Sequence, residues 1–373
     1  MRSRGSLAFT YLQAGAAAVA LARLSRGRTR RPPLDATRTS APDGGVTVLV
    51  PARDEAARLG PCLAAVNADP DAGEVIVIVD DDVDAGTLHA AEAGASRVVR
   101  APPLAAGWIG KTWALEQGLA AARGRWLVTL DADTRPRPGL LRALVAELED
   151  ADMVSAATRF RCDTVGERLL QPAMLATLVY RFGPVGEAGA GPAPHRVIAN
   201  GQCMAVERER LAAAGGFSRT PRHMTDDIAL ARSLAAEGWR VRFLDGTPLV
   251  AVQMYTSAAE LWREWGRSLS IADVTAWRWL ALDLLVVWLA MAVPLPRLLA
   301  RRGTALDVVL LGMRCALLVP LAGAFERRGP AYWLSPLADV AAALRLTLAV
   351  ARPARTWRGR AYPYAARTGS AVR

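Results

Sequence analysis

The sequence contains one lysine, Lys111, among 46 basic residues, and only four cysteines: Cys62, Cys162, Cys203 and Cys315. These are scattered, with no CxxC pair and no neighbouring histidine, so neither a zinc site nor a disulfide framework is signalled. A reducing compartment is the simpler setting. No GxGxxG follows any predicted strand and no GxxxxGK(S/T) occurs, which leaves a dinucleotide fold with a glycine-rich phosphate cradle and a P-loop both unsupported. Any phosphates this chain binds must be held by a metal and by side chains.

What is present points towards a membrane. Of the 373 residues, 52% are hydrophobic, high for a soluble enzyme of this size. Residues 1–40 carry eight arginines and one acid, and residues 276–373 carry fourteen arginines and four acids, which leaves 24 basic against 30 acidic residues in the middle. Basic ends around an acidic centre fit flanks that touch anionic lipid, whereas a nucleic-acid binder would have a basic recognition domain. No nucleic-acid partner is expected.

Residues 6–24, SLAFTYLQAGAAAVALARL, form an apolar run of about the ~20 residues needed to cross a bilayer, followed at once by RGRTRRPP. Because the stronger charge cluster lies after the run, it reads as an anchor with its arginines on the cytoplasmic side. An alanine-rich helix packing on a soluble domain is the alternative. Three further apolar segments, near 279–300, 304–325 and 331–351, are each interrupted by a charge or proline: Asp283, Pro294, Asp307, Arg314, Pro320, Asp339 and Arg345. Such groups are costly in hydrocarbon unless they face protein or headgroups. Two spans and one interfacial helix are expected, with the basic tail in the cytoplasm.

The expected organisation is an anchor and basic linker (1–40), a catalytic domain (41–275), hydrophobic membrane helices (276–352) and a basic tail (353–373). Within the middle, GVTVLVPA, EVIVIVDDD and RWLVTLDAD are short apolar runs that stop at carboxylates. EAARLGPCLAAVNA, DAGTLHAAEAG and KTWALEQGLAAA read as helices between them. Near-continuous apolar strands belong to a mostly parallel sheet covered by helices on both faces, an α/β fold with ligands at the carboxyl ends of the strands. Asp54 and Glu55, then Asp80, Asp81 and Asp82, then Asp131 and Asp133 would therefore share one edge. Like charges gathered this way need compensation, and hard oxygen ligands point to Mg2+ or Mn2+. The competing reading is that each aspartate caps the helix after it, a reading at least as good for Asp82 or Asp84.

The runs VLVPARDEA, IVDDD, GWIGKTWALEQG, TLDADTRP, NGQCMAVER and MTDDIALARSL resemble the inverting family-2 glycosyltransferases of the GT-A fold. GWIGKTWA, the N-terminal apolar helix and the terminal WRGRAY are most similar to the hopanoid-associated and carotenoid-type members. The resemblance covers about residues 46–275 strongly and the C-terminal region loosely, and implies a nucleotide-diphosphate sugar as donor. Pro51, Arg53 and Glu55 with Asp80 and Asp81 would contact the nucleotide base. Asp131 and Asp133 would be the metal pair, with Lys111 near the diphosphate and Gly201 lining the donor site. Asp227, with Asp226 beside it, would be the general base that takes the acceptor proton; either could instead cap its helix.

Departures from the family pattern also matter. Asp54 stands where Asn is frequent, and Val83 and Ala85 stand where Ser and Asp are frequent. The stretch Glu264-Trp265-Gly266-Arg267-Ser268 replaces the Q-x-x-R-W of processive synthases, so single sugar addition is expected. Arg267 would bind phosphate or lie at the interface. The resulting expectation is a metal-dependent transferase on the cytoplasmic side of the cell membrane, acting on a lipid acceptor. A non-catalytic scaffold or a sugar nucleotidyltransferase are the alternatives.

Overall fold

The computed structural model describes residues 4–38, 40–80, 83–186, 191–352, 356–357 and 360–362, which fall into two compact units. One unit, drawn from 31–159, 185–253 and 355–373, is built on a seven-stranded sheet. Its strands are β1 (Val46–Ala52), β2 (Glu74–Val79), β3 (Arg97–Arg100), β4 (Trp126–Leu130), β5 (Met153–Ala157), β6 (Cys203–Glu207) and β7 (Val241–Asp245), in the order β3-β2-β1-β4-β6-β5-β7. β1 pairs in parallel with both β2 and β4, and β2 with β3. β6 runs antiparallel between β4 and β5, and β5 is parallel to β7. The sheet is thus parallel-dominated, as expected, with one reversed strand inside it.

The near-continuous apolar runs follow from burial on both faces. Val48, Val50, Val75, Val77, Val79 and Val128 point into one core, while Leu49, Ile76, Ile78 and Leu127 point into the other. The alternation is the two-residue period of a strand, and each fully buried Val, Ile or Leu contributes roughly 1.5–3 kcal/mol. The helix Gly110–Ala121 lies so close to the sheet that a Cβ at Gly118 would sit 2.8 Å from Ile78 Cδ1 and 2.9 Å from Leu49 Cδ1. That approach fixes the level at which Lys111, near the start of the helix, meets the strand ends.

The other unit gathers 1–30, 160–184 and 254–354. Among its described residues three stretches, Leu7–Thr29, Trp277–Leu299 and Ala305–Ala324, are long and apolar enough to cross a membrane. The last apolar segment is divided into Gly329–Trp333, Ser335–Ala338 and Asp339–Ala351. The interrupting polar groups have protein partners. Asp283 meets Arg23 at 2.9 Å and Arg181 at 3.5 Å. Asp307 accepts from Gln13 at 2.7 Å and Arg297 at 3.2 Å, and Arg314 makes two-pronged contact with Asp339 at 2.9 Å. Removing one member of such a buried pair strands the other, at a cost of about 3–5 kcal/mol. Pro294 is accommodated by a wide helical turn over Val287–Ala292, where the Val293 amide donates five residues back to Trp288 O at 2.9 Å.

Candidate active site

The site lies in the unit built on the seven-stranded sheet, at the carboxyl ends of β1, β2 and β4. β4 ends at Leu130 and the chain turns through Asp131, Ala132 and Asp133. The turn is closed by Thr134, whose amide and hydroxyl donate to Asp131 O at 3.0 and 2.7 Å. Asp131 Oδ1 receives Lys111 Nζ at 2.7 Å. Burial alone would lower the pKa of this lysine, yet Asp131, Asp226 and Asp227 outweigh it and hold the ammonium firmly charged. Lys111 is therefore not a solvated residue at a helix start: its side chain is 16% exposed.

Asp133 Oδ1 is buried and has no hydrogen-bond partner. Burial, then the neighbouring Asp131 and Glu55, push its acid up to about 7. Among the described residues no group of three or more His, Cys, Asp or Glu side chains is gathered to hold an ion by itself. One or two carboxylates with the rest of the shell left to water and substrate phosphate is the manner in which Mg2+ is usually bound. An orphaned, desolvated carboxylate oxygen beside a second carboxylate fits that donor set, and Asp133 and Asp131 are the residues that would hold the ion.

Across from this turn, a tight loop presents Gly201. Asn200 and Gln202 lock it: Ser155 Oγ donates to Asn200 O at 3.1 Å, Asn200 Nδ2 to Gln202 Oε1 at 3.1 Å, and Thr158 Oγ1 to Gln202 Oε1 at 2.8 Å. The Gly201 amide donates to Asp227 Oδ2 at 2.7 Å, and the Ile228 amide to Oδ1 at 2.8 Å. Asp227 stands in the first turn of the helix Asp226–Ala236. Both of its oxygens are oriented by backbone amides, yet burial raises its pKa, as it raises that of Asp226 to about 7. A Cβ on Gly201 would lie 3.0 Å from Lys111 Nζ and 3.1 Å from Asp227 Cβ, so the absent side chain is what lets these charges approach.

The other expected residues occupy the ends of β1 and β2. Pro51 is within β1, in register with Ile78. Arg53 hydrogen-bonds the buried Asp80. Asp54 has φ +52°, a left-handed conformation that Asn and Asp tolerate better than other side chains; this is a physical reason for either residue to serve there. Glu55 precedes the helix Ala56–Asn67, with Arg58 Nη1 3.6 Å from its carboxylate. Asp84 accepts from the Thr87 amide at 2.8 Å and is a helix cap. Asp81 and Asp82 lie outside the described residues, as does the side chain of Arg267, whose backbone is in the helix Ala258–Ser268.

The sequence reading left Arg360 and Tyr362 out of the site. Arg360 Nη1 is 3.5 Å from Asp80 Oδ2, and the Tyr362 hydroxyl accepts from the Gly110 amide at 3.3 Å. Both come from a stretch taken as a basic tail. The signal that marks both is the terminal WRGRAY, which the sequence offers as a family likeness and not as part of the site.

The mixed seven-stranded sheet with carboxylates at the ends of β1, β2 and β4 agrees with the GT-A fold that the motifs resemble. Residues 42–280 match the family described as glycosyltransferase-like family 2, and the chain belongs to it. Among curated proteins, 4,4'-diaponeurosporenoate glycosyltransferase of Staphylococcus aureus (strain MRSA252) is 25% identical over 232 residues, covering 60% of this chain and 60% of that relative's own length. Among solved structures, a mannosyltransferase from Pyrobaculum calidifontis in complex with GDP-Man and Mn2+ matches at 23% identity with a TM-score of 0.54, over 91% of this chain and 96% of that one. Glucosyl-3-phosphoglycerate synthase from Mycobacterium tuberculosis, solved with Mn2+, UDP and glucosyl-3-phosphoglycerate, matches at 22% identity and a TM-score of 0.42, over 62% and 78%. The likeness to the mannosyltransferase is one of fold.

Proposed function

We propose that this chain is a metal-dependent inverting glycosyltransferase that moves a sugar from a nucleotide-diphosphate donor to the hydroxyl of a lipid acceptor. The observation that supports it most is the arrangement around Lys111: one ammonium paired with Asp131 and within electrostatic reach of Asp133, Asp226 and Asp227, beside the orphaned Asp133 oxygen. A Mn2+ or Mg2+ ion on Asp133 and Asp131, when bound, supplies Lewis-acid compensation for the diphosphate as it leaves. Lys111 adds a compact positive charge on the same side. Arg53, Glu55 and Asp80 border the nucleotide end.

Asp227 takes the proton from the acceptor hydroxyl as that oxygen attacks the anomeric carbon and the bond to the diphosphate breaks. Its two backbone donors fix the carboxylate's direction while leaving a lone pair for the incoming proton, and burial makes it a stronger base than a solvated aspartate. Asp226 supports it in the same helix turn. The three apolar stretches and the arginine cluster after the first of them favour a multi-pass protein of the cell membrane with this site at the cytoplasmic surface, where a bilayer-dissolved hydroxyl is met. The carotenoid-type relative supports a lipid acceptor.

The test is Asp227→Asn in the full chain reconstituted in lipid. Sugar transfer should fall by about 10²–10⁴-fold, the span of general-base catalysis, while Mn2+-dependent nucleotide binding is retained. Turnover equal to the wild type would refute the assignment of the base.

A further inference from the structure

The C-terminal segment returns 280 residues along the chain to reach the end of β2. Thr356–Trp357 pairs antiparallel with Arg360–Ala361, and Tyr362, which follows directly, is fully buried. Tyr362 packs on buried Ile109 with Leu104 and Met224 around it, and its hydroxyl accepts from the first amide of the helix that carries Lys111. This anchor is larger than a solvated basic tail would have. Burying an aromatic ring and satisfying its hydroxyl both require a defined seat.

The seat puts the Arg360 guanidinium 3.5 Å from Asp80 Oδ2, on a carboxylate that Arg53 also contacts. Asp80 is 6% exposed, so its orientation is set by these two cations more than by water. The helix start lies against all three groups: a Cβ on Gly110 would be tight against the Tyr362 hydroxyl at 3.2 Å and in ordinary contact with Asp80 Oδ2 at 3.9 Å and Arg360 Nη1 at 4.0 Å. Asp54, 3.8 Å from Arg53 Nε, is largely exposed and competes weakly for Arg53.

We infer that the C-terminal strap is part of the donor site, with Arg360 as a positioning residue that holds Asp80 in place for the nucleotide and Tyr362 as its anchor. The inference rests on the proposed role of Asp80 at the nucleotide end. It concerns donor affinity and selection, not the chemical step: Arg360 meets Asp80 and Tyr362 meets Gly110, whereas Asp131 is met by Lys111 and Asp227 by Gly201.

The experiment uses full-length protein in lipid nanodiscs, titrated calorimetrically with UDP, GDP, ADP and dTDP in the presence of Mn2+, alongside donor KM and kcat. Arg360→Ala should weaken the nucleotide that the wild type binds by about tenfold, the scale of one lost charge-assisted contact. Donor KM should rise in step, with kcat and the thermal midpoint close to the wild type, and Arg360→Lys should recover part of the affinity. Arg360→Ala that binds as well as the wild type, or more tightly, would overturn the strap's role while leaving the proposed transferase intact. A wild type that binds none of the four would overturn both.

Discussion

Lys111 Nζ lies 2.7 Å from Asp131 Oδ1, and its charge is felt by Asp133, Asp226 and Asp227 as well. The only lysine of the chain is therefore the electrostatic hub of two turns that are far apart in sequence. Lys111→Met should leave several half-buried carboxylates without their cation, a defect of about 1–3 kcal/mol. Turnover should drop by about 10²-fold or more. Lys111→Arg should not restore it, since a planar fork does not fit where a compact ammonium stands. Donor turnover and thermal midpoints of the two variants check this.

Gly201 tests the same hub sterically. Adding a Cβ within 3.0–3.1 Å of Lys111 Nζ and Asp227 Cβ forces a shift of a few tenths of an ångström. Misplacement on that scale should lower kcat by about tenfold with a thermal midpoint within a few degrees of the wild type. The kinetics and melting of Gly201→Ala report both quantities.

The parts of this arrangement that were legible in the sequence are local. Apolar strand runs ending in carboxylates predicted β1, β2 and β4 and the helices between them, and the DAD turn, marked by its strand-end carboxylates, and the TDD turn, marked by the family resemblance, both lie within reach of Lys111. Long-range pairing leaves no such periodic trace. The reversed β6 between β4 and β5 could not be read from chain order, and neither could the packing of Val165–Phe182 outside the sheet unit. The contact of Arg360 is unreadable for the same reason: WRGRAY marks the residue by likeness alone, and its partner lies 280 positions away. The polar interruptions in the apolar segments were legible as a problem, but their solution in pairs such as Arg314 with Asp339 needed coordinates.

Acid sensitivity should arise away from the site, at Asp152. Burial alone would raise its pKa, but the Arg240 amide at 2.7 Å and the Arg240 and Arg210 guanidiniums at 3.2 and 2.6 Å hold it below the usual carboxylate range. A depressed folded pKa contributes stability above the unfolded value, about 3.9, and that stability is lost as pH falls through the folded one. Asp152→Asn should cost about 1–3 kcal/mol at neutral pH, with a shallower decline on acidification. Thermal midpoints of both proteins between pH 7 and 3 decide it.

Cys315 offers a direct reading of the membrane. It is exposed on the apolar stretch Ala305–Ala324, whereas Cys62, Cys162 and Cys203 are buried. Burial also pushes those three thiols up, to about 11, 12 and 12. A nitroxide placed at Cys315 should therefore be relaxed by oxygen and not by a water-soluble nickel chelate in lipid vesicles. Equal relaxation by both would place this helix in water.

The central claim is that Asp133, with Asp131, holds a divalent ion for a nucleotide diphosphate. Calorimetry of UDP and GDP binding, with Mn2+ and after chelation, on the wild type and Asp133→Ala tests it most directly. The account predicts binding that disappears on chelation and in the variant. Nucleotide binding that persists in either case would contradict it.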